Sequence, residues 1–471
     1  MTTLTDRGLV AELRAALPEG ALVTDPDRLA SYRNDQAGGL LAGQPAALVL
    51  PRTTGQVSVV LAAAHRARVP VVPRGAGSGL SGGANAVDGC LVLSLEKMTT
   101  IRSIDAADGC AVVEPGVVNQ RLRDEAAGSG LWYAPDPASR SWCTLGGNIA
   151  TNAGGLCCVK YGVTRDADLA LEVVLADGRT TRIGRRSVKG VAGYDLVSLI
   201  VGSEGTLGVV TEATLRLRPA PLPPTTVVAV FPDLPAAGRA VQAITSALTP
   251  SLLELMDRTT IRAVEALRPM GLDVDAAALL LAQTDSPGPA EAEALLALCE
   301  AAGAVDAYRS EDAEQADQLL EARRLALPAL ERMGAVLLDD VAVPRSQLVE
   351  AIARIERVAV DRDVVIGTFG HAGDGNLHPT VVLPHGDQAA AVRGAAAFRD
   401  IVQVALDLGG TVTGEHGVGM LKPDLLAREL DPTARSLHAA IKQALDPRGI
   451  LNPGKALPLP ARAAGPAVPG M

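Results

Sequence analysis

An α+β protein of two or three domains is what this sequence predicts, and three observations carry the prediction. Residues 225–388 alternate apolar, strand-like runs with helical intervals. Earlier in the chain the apolar run VPVVP (69–73) stands directly before a glycine-rich loop. Between the halves, prolines at 219, 221, 223 and 224 interrupt the chain as a domain boundary would. With 471 residues the chain exceeds one ordinary core.

Taken in order, residues 1–40 read as an N-terminal helix and connector. PAALVLP (45–51) is a buried strand. Thr53, followed by Gln56, forms a capping box for the helix VSVVLAAAHRAR. VPVVP (69–73) is a second short strand and empties into Arg74–Ala84, which holds five glycines in eleven residues. Such a loop after a strand lets backbone N–H groups close on an anion, as in a phosphate-binding nest. No Gly-Lys-Ser/Thr follows, so this is not a Walker loop, and the dinucleotide fingerprint does not fit cleanly either.

Two further strands, LVLSL and CAVVEPG, and the helix VNQRLRDEAAGSG precede a second small-residue loop, Pro135–Gly155. Its hydroxyl and amide groups suit a flat polar heterocycle. Asp177–Gly178 is the turn of a hairpin, and VGSEGTLGVVTEATLRLRP (201–219) is a glycine-flanked turn feeding a long strand.

Beyond the prolines the pattern becomes strand, helix, strand, helix. Helices are expected near 234–248, 259–267, 290–302 and 346–358, with antiparallel strands forming a ferredoxin-like α+β layer and helices on one face. The strand VVIGTFG leads into a histidine-bearing loop. The segment after 388 is expected to be mostly helical, and 458–471, rich in Pro, Ala and Gly, to be disordered.

Composition narrows the function. The chain is 48% apolar, 20% charged and 2% aromatic, so its cores rest on Ala, Val and Leu. A net charge of −10 without a dense Lys/Arg cluster argues against nucleic acid as partner. No signal peptide and no spanning apolar run is read, which points to the cytosol. The six cysteines lack C-x-x-C spacing, so an iron–sulfur cluster or zinc ribbon on this chain is not expected.

Three of the six histidines fall in GTFGHAGDGNLHP and TVTGEHGVG: His371, His378 and His416, the last preceded by Glu415. Two glycines between His371 and His378 each cost about 1 kcal/mol in a helix. A turn is the better home, with Gly373 and Gly375 at positive φ bringing the imidazoles together. Two imidazoles and a carboxylate form a ligand set for Zn²⁺ or a neighbouring divalent metal, with a position left for substrate.

The order of PRGAGSGLSGG, PDPASRSWCTLGGNIATNAGG, GSEGTLGVV, HAGDGNLHP, GEHGVG and NPGK resembles the FAD-dependent D-2-hydroxy-acid dehydrogenases. These are flavoproteins of the vanillyl-alcohol-oxidase type, and include the glycolate oxidase large subunit, D-lactate dehydrogenase and D-2-hydroxyglutarate dehydrogenase. The resemblance spans about residues 41–457. It implies a two-subdomain, PCMH-type FAD-binding domain over 41–220, then a cap and substrate domain with C-terminal helices over 221–457. It puts the pyrophosphate on Arg74, Gly75, Ala76, Gly77 and Ser78. The flavin and ribityl chain would meet Pro137, Ser139, Thr144, Gly147, Asn148, Gly155, Gly205 and Val210, with Asn452 reaching the isoalloxazine. The first loop has no histidine, so FAD is expected to be non-covalent.

The resemblance also implies a reaction. A 2-hydroxy acid, D-lactate or glycolate, chelates a metal held by His371, His378 and Glu415: zinc first, manganese or iron as alternatives. His416 takes the hydroxyl proton, hydride passes to flavin N5, and Arg323 holds the substrate carboxylate, with Arg324 as rival. Asp374 and Asn376 would orient the metal ligands. Thr380 stands where the hydroxyglutarate enzymes carry an asparagine, which places a dicarboxylate second. Electrons would leave to a separate acceptor: an electron-transfer flavoprotein, cytochrome, quinone or iron–sulfur subunit. A homodimer is compatible with the sequence. The competing readings are a metal-free flavin oxidase or synthase of the same fold, and a non-catalytic flavin-fold scaffold subunit.

Overall fold

A computed structural model of the chain describes residues 4–187 and 189–457; the tail 458–471 lies outside the described residues. Three main sheets organise it. The first runs Leu22–Val23, Ala47–Val49, Leu91–Ser94, Val71–Arg74, the last three parallel. The helix Thr54–Ala67 packs Val57, Val60 and Leu61 against this sheet and against Leu9 and Leu13 of the N-terminal helix Leu4–Ala16. Thr53 Oγ1 accepts from the Gln56 N–H (3.3 Å) as expected of a cap, while Gln56 Oε1 accepts from Arg52 N (2.7 Å) rather than from Thr53 itself. The C-terminus returns here: Ile450 and Leu451 join this core, and Leu451 bridges to Val71.

The second sheet is antiparallel, in the order 101–105, 110–113, 209–216, 168–174, 180–184. Asp177 and Gly178, the latter at φ +89°, turn between its last two strands as the sequence predicts.

The third sheet is wholly antiparallel and explains itself as two related halves. Strands 225–231, 252–257, 278–284 and 306–309 lie in the ferredoxin-like spatial order fourth, first, third, second. Strands 335–338, 365–371 and 376–383 repeat that order as second, third, first, joined to the first half through Leu252–Asp257 against Val365–His371. The crossover helices 234–247, 290–302, 348–362 and 388–407 all cover one face. The other face is also covered, by helices 258–267, 313–324 and 326–333. One-face coverage was therefore too narrow an expectation. The strand Ala278–Thr284 is buried at every position, which is why it reads as a continuous apolar run instead of alternating.

Candidate active site

The seam between the two halves of the large sheet carries the site. His371 ends one strand and His378 lies on the next, in a hairpin whose register pairs Phe369 with His378 and His371 with Asn376. The two histidines therefore project from the same face, diagonally opposed, with ring centroids 5.1 Å apart. Of the two glycines expected at positive φ, Gly375 is (φ +76°); Gly373 is not among the positive-φ residues and is instead confined by Val159.

Glu254 is the cross-strand partner of His371 and is fully buried. Its Oε1 lies 2.7 Å from His371 Nδ1, and its Oε2 accepts from Arg323 Nε at 2.7 Å. A carboxylate on Nδ1 leaves Nε2 as the lone-pair nitrogen, the arrangement that metal-binding histidines use. That Nε2 faces Glu415 Oε1 at 3.3 Å; His378 Nε2 lies 3.4 Å and His416 Nε2 3.7 Å from the same oxygen. The ligand atoms of His371, His378 and Glu415 all fall within 4.8 Å of one another. Burial opposes a charge on His371, yet Glu254 and Glu415 hold its pKa well above the ordinary histidine value. Burial likewise opposes ionisation of Glu415, but the His371 and His378 imidazoles keep its pKa well below the usual carboxylate range. Burial lowers His378 to about 4. This donor set, a carboxylate facing imidazoles in a buried pocket that attracts positive charge, fits a divalent cation.

Asp340 shapes the loop that delivers Glu415 and His416. Its Oδ2 accepts from the backbone N–H of Gly414, Glu415 and His416 (2.9, 3.0 and 2.9 Å) and from the Thr413 hydroxyl (2.6 Å). Its Oδ1 accepts from Asn376 Nδ2 at 2.7 Å. Burial opposes ionisation, but His416, Lys422 and His378 hold its pKa well below the carboxylate norm. Asp340, His378 and His416 form a second cluster of the right size for a metal. Because Asp340 already accepts from five donors, we read it as the scaffold of the loop. Asn376 thus acts on Asp340, and Asp374 is exposed at the hairpin tip.

Glu415 and His416 also line a cleft of about 440 Å³ on the side of the first domain. Arg74, Gly75, Ala76, Gly77, Ser78, Pro137, Ser139, Gly147, Asn148, Gly205 and Val210 line it as well. Thr144, Gly155 and Asn452 stand behind this wall. A Cβ on Gly75 would strike Thr144 Oγ1, one on Gly155 would strike Asp136, and Asn452 Nδ2 donates to the carbonyls of Gly83 and Glu204 (2.9 and 2.7 Å). His371, His378 and Arg323 are likewise set behind it. Glycine loops lining a concave cleft fit a long phosphate-bearing cofactor.

Sequence reasoning passed over three acidic residues: Glu254, Asp340 and Glu204. Glu254 in SLLELM carried a usable signal, a lone carboxylate inside an apolar strand that must find a partner.

A two-domain fold with a cofactor cleft between glycine loops and a histidine–carboxylate cluster on its far wall defines a flavin-dependent oxidoreductase. The chain belongs to the FAD-linked oxidases: a FAD binding domain model matches residues 45–184, and a model for the C-terminal domain of FAD linked oxidases matches 221–456. It is 43% identical to the glycolate oxidase subunit GlcD of Bacillus subtilis, over 89% of this chain and 90% of that one. It is 36% identical to the D-lactate dehydrogenase of Archaeoglobus fulgidus, over 90% and 95%. In fold it is similar to p-cresol methylhydroxylase with substrate bound, at TM-score 0.79 and 19% identity, covering 97% of both chains. No helix among the described residues is long and apolar enough to cross a membrane.

Proposed function

We propose that this enzyme oxidises a D-2-hydroxy acid, D-lactate or glycolate, to the 2-oxo acid, using non-covalent FAD and a divalent metal held by His371, His378 and Glu415. Zinc is the metal we propose first, from the histidine–carboxylate donor set, ahead of manganese or iron. The observation that carries the reading is the convergence of three imidazole Nε2 atoms on Glu415 Oε1 at the wall of the cofactor cleft. The names of the relatives support the substrate class.

When bound, FAD supplies a hydride acceptor at N5, and the metal a Lewis acid that acidifies the substrate hydroxyl. The chain's own residues do the rest. Glu254 orients His371, and Asp340 orients the Glu415–His416 pair. His416, stacked on His378 and open to the cleft, takes the hydroxyl proton as general base. Arg323 is proposed to attract the substrate carboxylate; its Nε is engaged by Glu254, so only the terminal nitrogens are offered to substrate. Thr380 is buried, with its hydroxyl donating to the His378 carbonyl, and presents nothing to a second carboxylate. The electrons would pass to a separate acceptor: an electron-transfer flavoprotein, cytochrome, quinone or iron–sulfur subunit.

An anaerobic screen of small D-2-hydroxy acids read at the flavin absorption band tests the proposal. Bleaching by D-lactate or glycolate, and not by D-2-hydroxyglutarate, is the expected result. A yellow protein that contains no metal and is bleached by none of them would instead favour a metal-free oxidase or synthase.

A further inference from the structure

Glu204 occupies an unusual place. It stands in the GSEGTLGVV turn at φ +51°, a left-handed conformation uncommon for a residue with a side chain, and it is buried. Its backbone N–H donates to Ala150 O of the second cofactor loop (2.7 Å), and its carbonyl accepts from Asn452 Nδ2. Asn452 Nδ2 also donates to Gly83 O of the first glycine loop, as does Lys455 Nζ. Both cofactor loops and the NPGK segment thus meet at this one residue, which itself lines the cleft.

The carboxylate points the other way. Its Oε1 accepts from Val418 N at 2.8 Å and its Oε2 from Gly419 N at 2.9 Å, just after His416. A Cβ on Gly417 would come within 3.1 Å of Oε1 and one on Gly83 within 3.3 Å of Oε2, so the carboxylate is held on both sides. Asp340 grips the start of the same loop through Gly414, Glu415 and His416. The two carboxylates hold the ends of the segment between them, Asp340 from the C-terminal domain and Glu204 from the flavin domain.

We propose that Glu204 is a positioning residue that couples the cofactor cleft to the Glu415–His416 loop, so that FAD binding tightens the geometry of the metal ligand and the base. The inference rests on the flavin–metal reading of the site. By thermodynamic reciprocity, whatever FAD does for metal affinity, the metal does for FAD affinity. Removing one acceptor by Glu204→Gln leaves a backbone N–H facing an amide NH₂.

Hydrogen–deuterium exchange of peptides covering 412–421, in the full chain with and without FAD, is the test, with Zn²⁺ affinity measured beside it. In the wild type, FAD slows exchange across this segment and tightens Zn²⁺. In Glu204→Gln the FAD-dependent protection is lost and Zn²⁺ affinity falls about 10-fold, the scale seen when outer partners of ligands are removed. By the same reciprocity, the tightening of FAD by Zn²⁺ seen in the wild type is lost in the variant. If Glu204→Gln does not fold, Glu204→Asp, which keeps the charge but withdraws it by one methylene, carries the same expectations. Unchanged exchange over 412–421 in the variant overturns the proposal, as does loss of FAD with exchange and Zn²⁺ binding intact. Neither readout needs turnover, so failure of every hydroxy acid to bleach the flavin would overturn the activity and not this coupling.

Discussion

At the scale of the residue, the site depends on charges that burial would otherwise forbid. Glu254 has no exposed surface, and its two oxygens are taken up by Arg323 and His371. Replacing Arg323 by Gln strands that carboxylate. Removing one partner of a buried pair costs about 3–5 kcal/mol, so unfolding by urea should show a loss of that size. A variant with unchanged stability and only a raised KM would assign Arg323 to the substrate alone. His416→Ala is expected to keep FAD and metal while slowing flavin reduction by about 10²–10⁴-fold, the range of a lost general base. Stopped-flow reduction at the normal rate would remove His416 from that role. The histidines were legible because glycine-flanked imidazoles have few structural reasons to cluster. Asp340 was not: nothing in GAVLLDDVAVP singles it out, and only the folded chain shows the 414–416 amides gathered on it.

At the scale of the element, the sequence located strands and helices well and misjudged their environment. TTVVAVF and ALLLAQ were readable as strands, but their unbroken apolar character also meant burial on two faces, and the helices 313–324 and 326–333 supply the second cover. The sequence marks residues 1–40 only as a helix and connector, whereas in the fold Leu22–Val23 extends the first sheet and Asp35 and Gln36 line the cleft. Such placement depends on long-range packing that local periodicity does not encode. The C-terminal NPGK segment makes a testable point about pH. Burial pushes Lys455 down to about 8 from the ordinary 10.5, although nearby Cys90, Asp35 and Glu204 act to raise it. Between those values the unfolded chain holds a proton that the folded chain has released, so stability rises with pH across the window. The stability difference between wild type and Lys455→Met should therefore shift in favour of the wild type from about pH 8 to 10.5. A difference that stays flat would mean the ammonium is not disfavoured in the fold.

At the scale of the whole molecule, the first domain closes the open end of the seam in the large sheet. The short helix Cys158–Tyr161 lies against Leu252–Asp257, and Lys160 and Tyr161 both bind Asp285 of the C-terminal domain. The cofactor cleft and the histidine cluster thus share one wall, formed by Glu415 and His416. The order of glycine loops and histidine motifs made this pairing of domains readable. The clasp between them was hidden, because Glu204 and Asp340 act through backbone amides that carry no sequence signature. The account stands on a metal at that shared wall taking part in flavin reduction. The direct measurement is anaerobic flavin bleaching by D-lactate or glycolate in the purified enzyme, after chelation and again after adding back Zn²⁺, Mn²⁺ or Fe²⁺. The account predicts that the chelated enzyme stays yellow and that one of these ions restores bleaching; rapid bleaching of enzyme shown to be free of metal would contradict it.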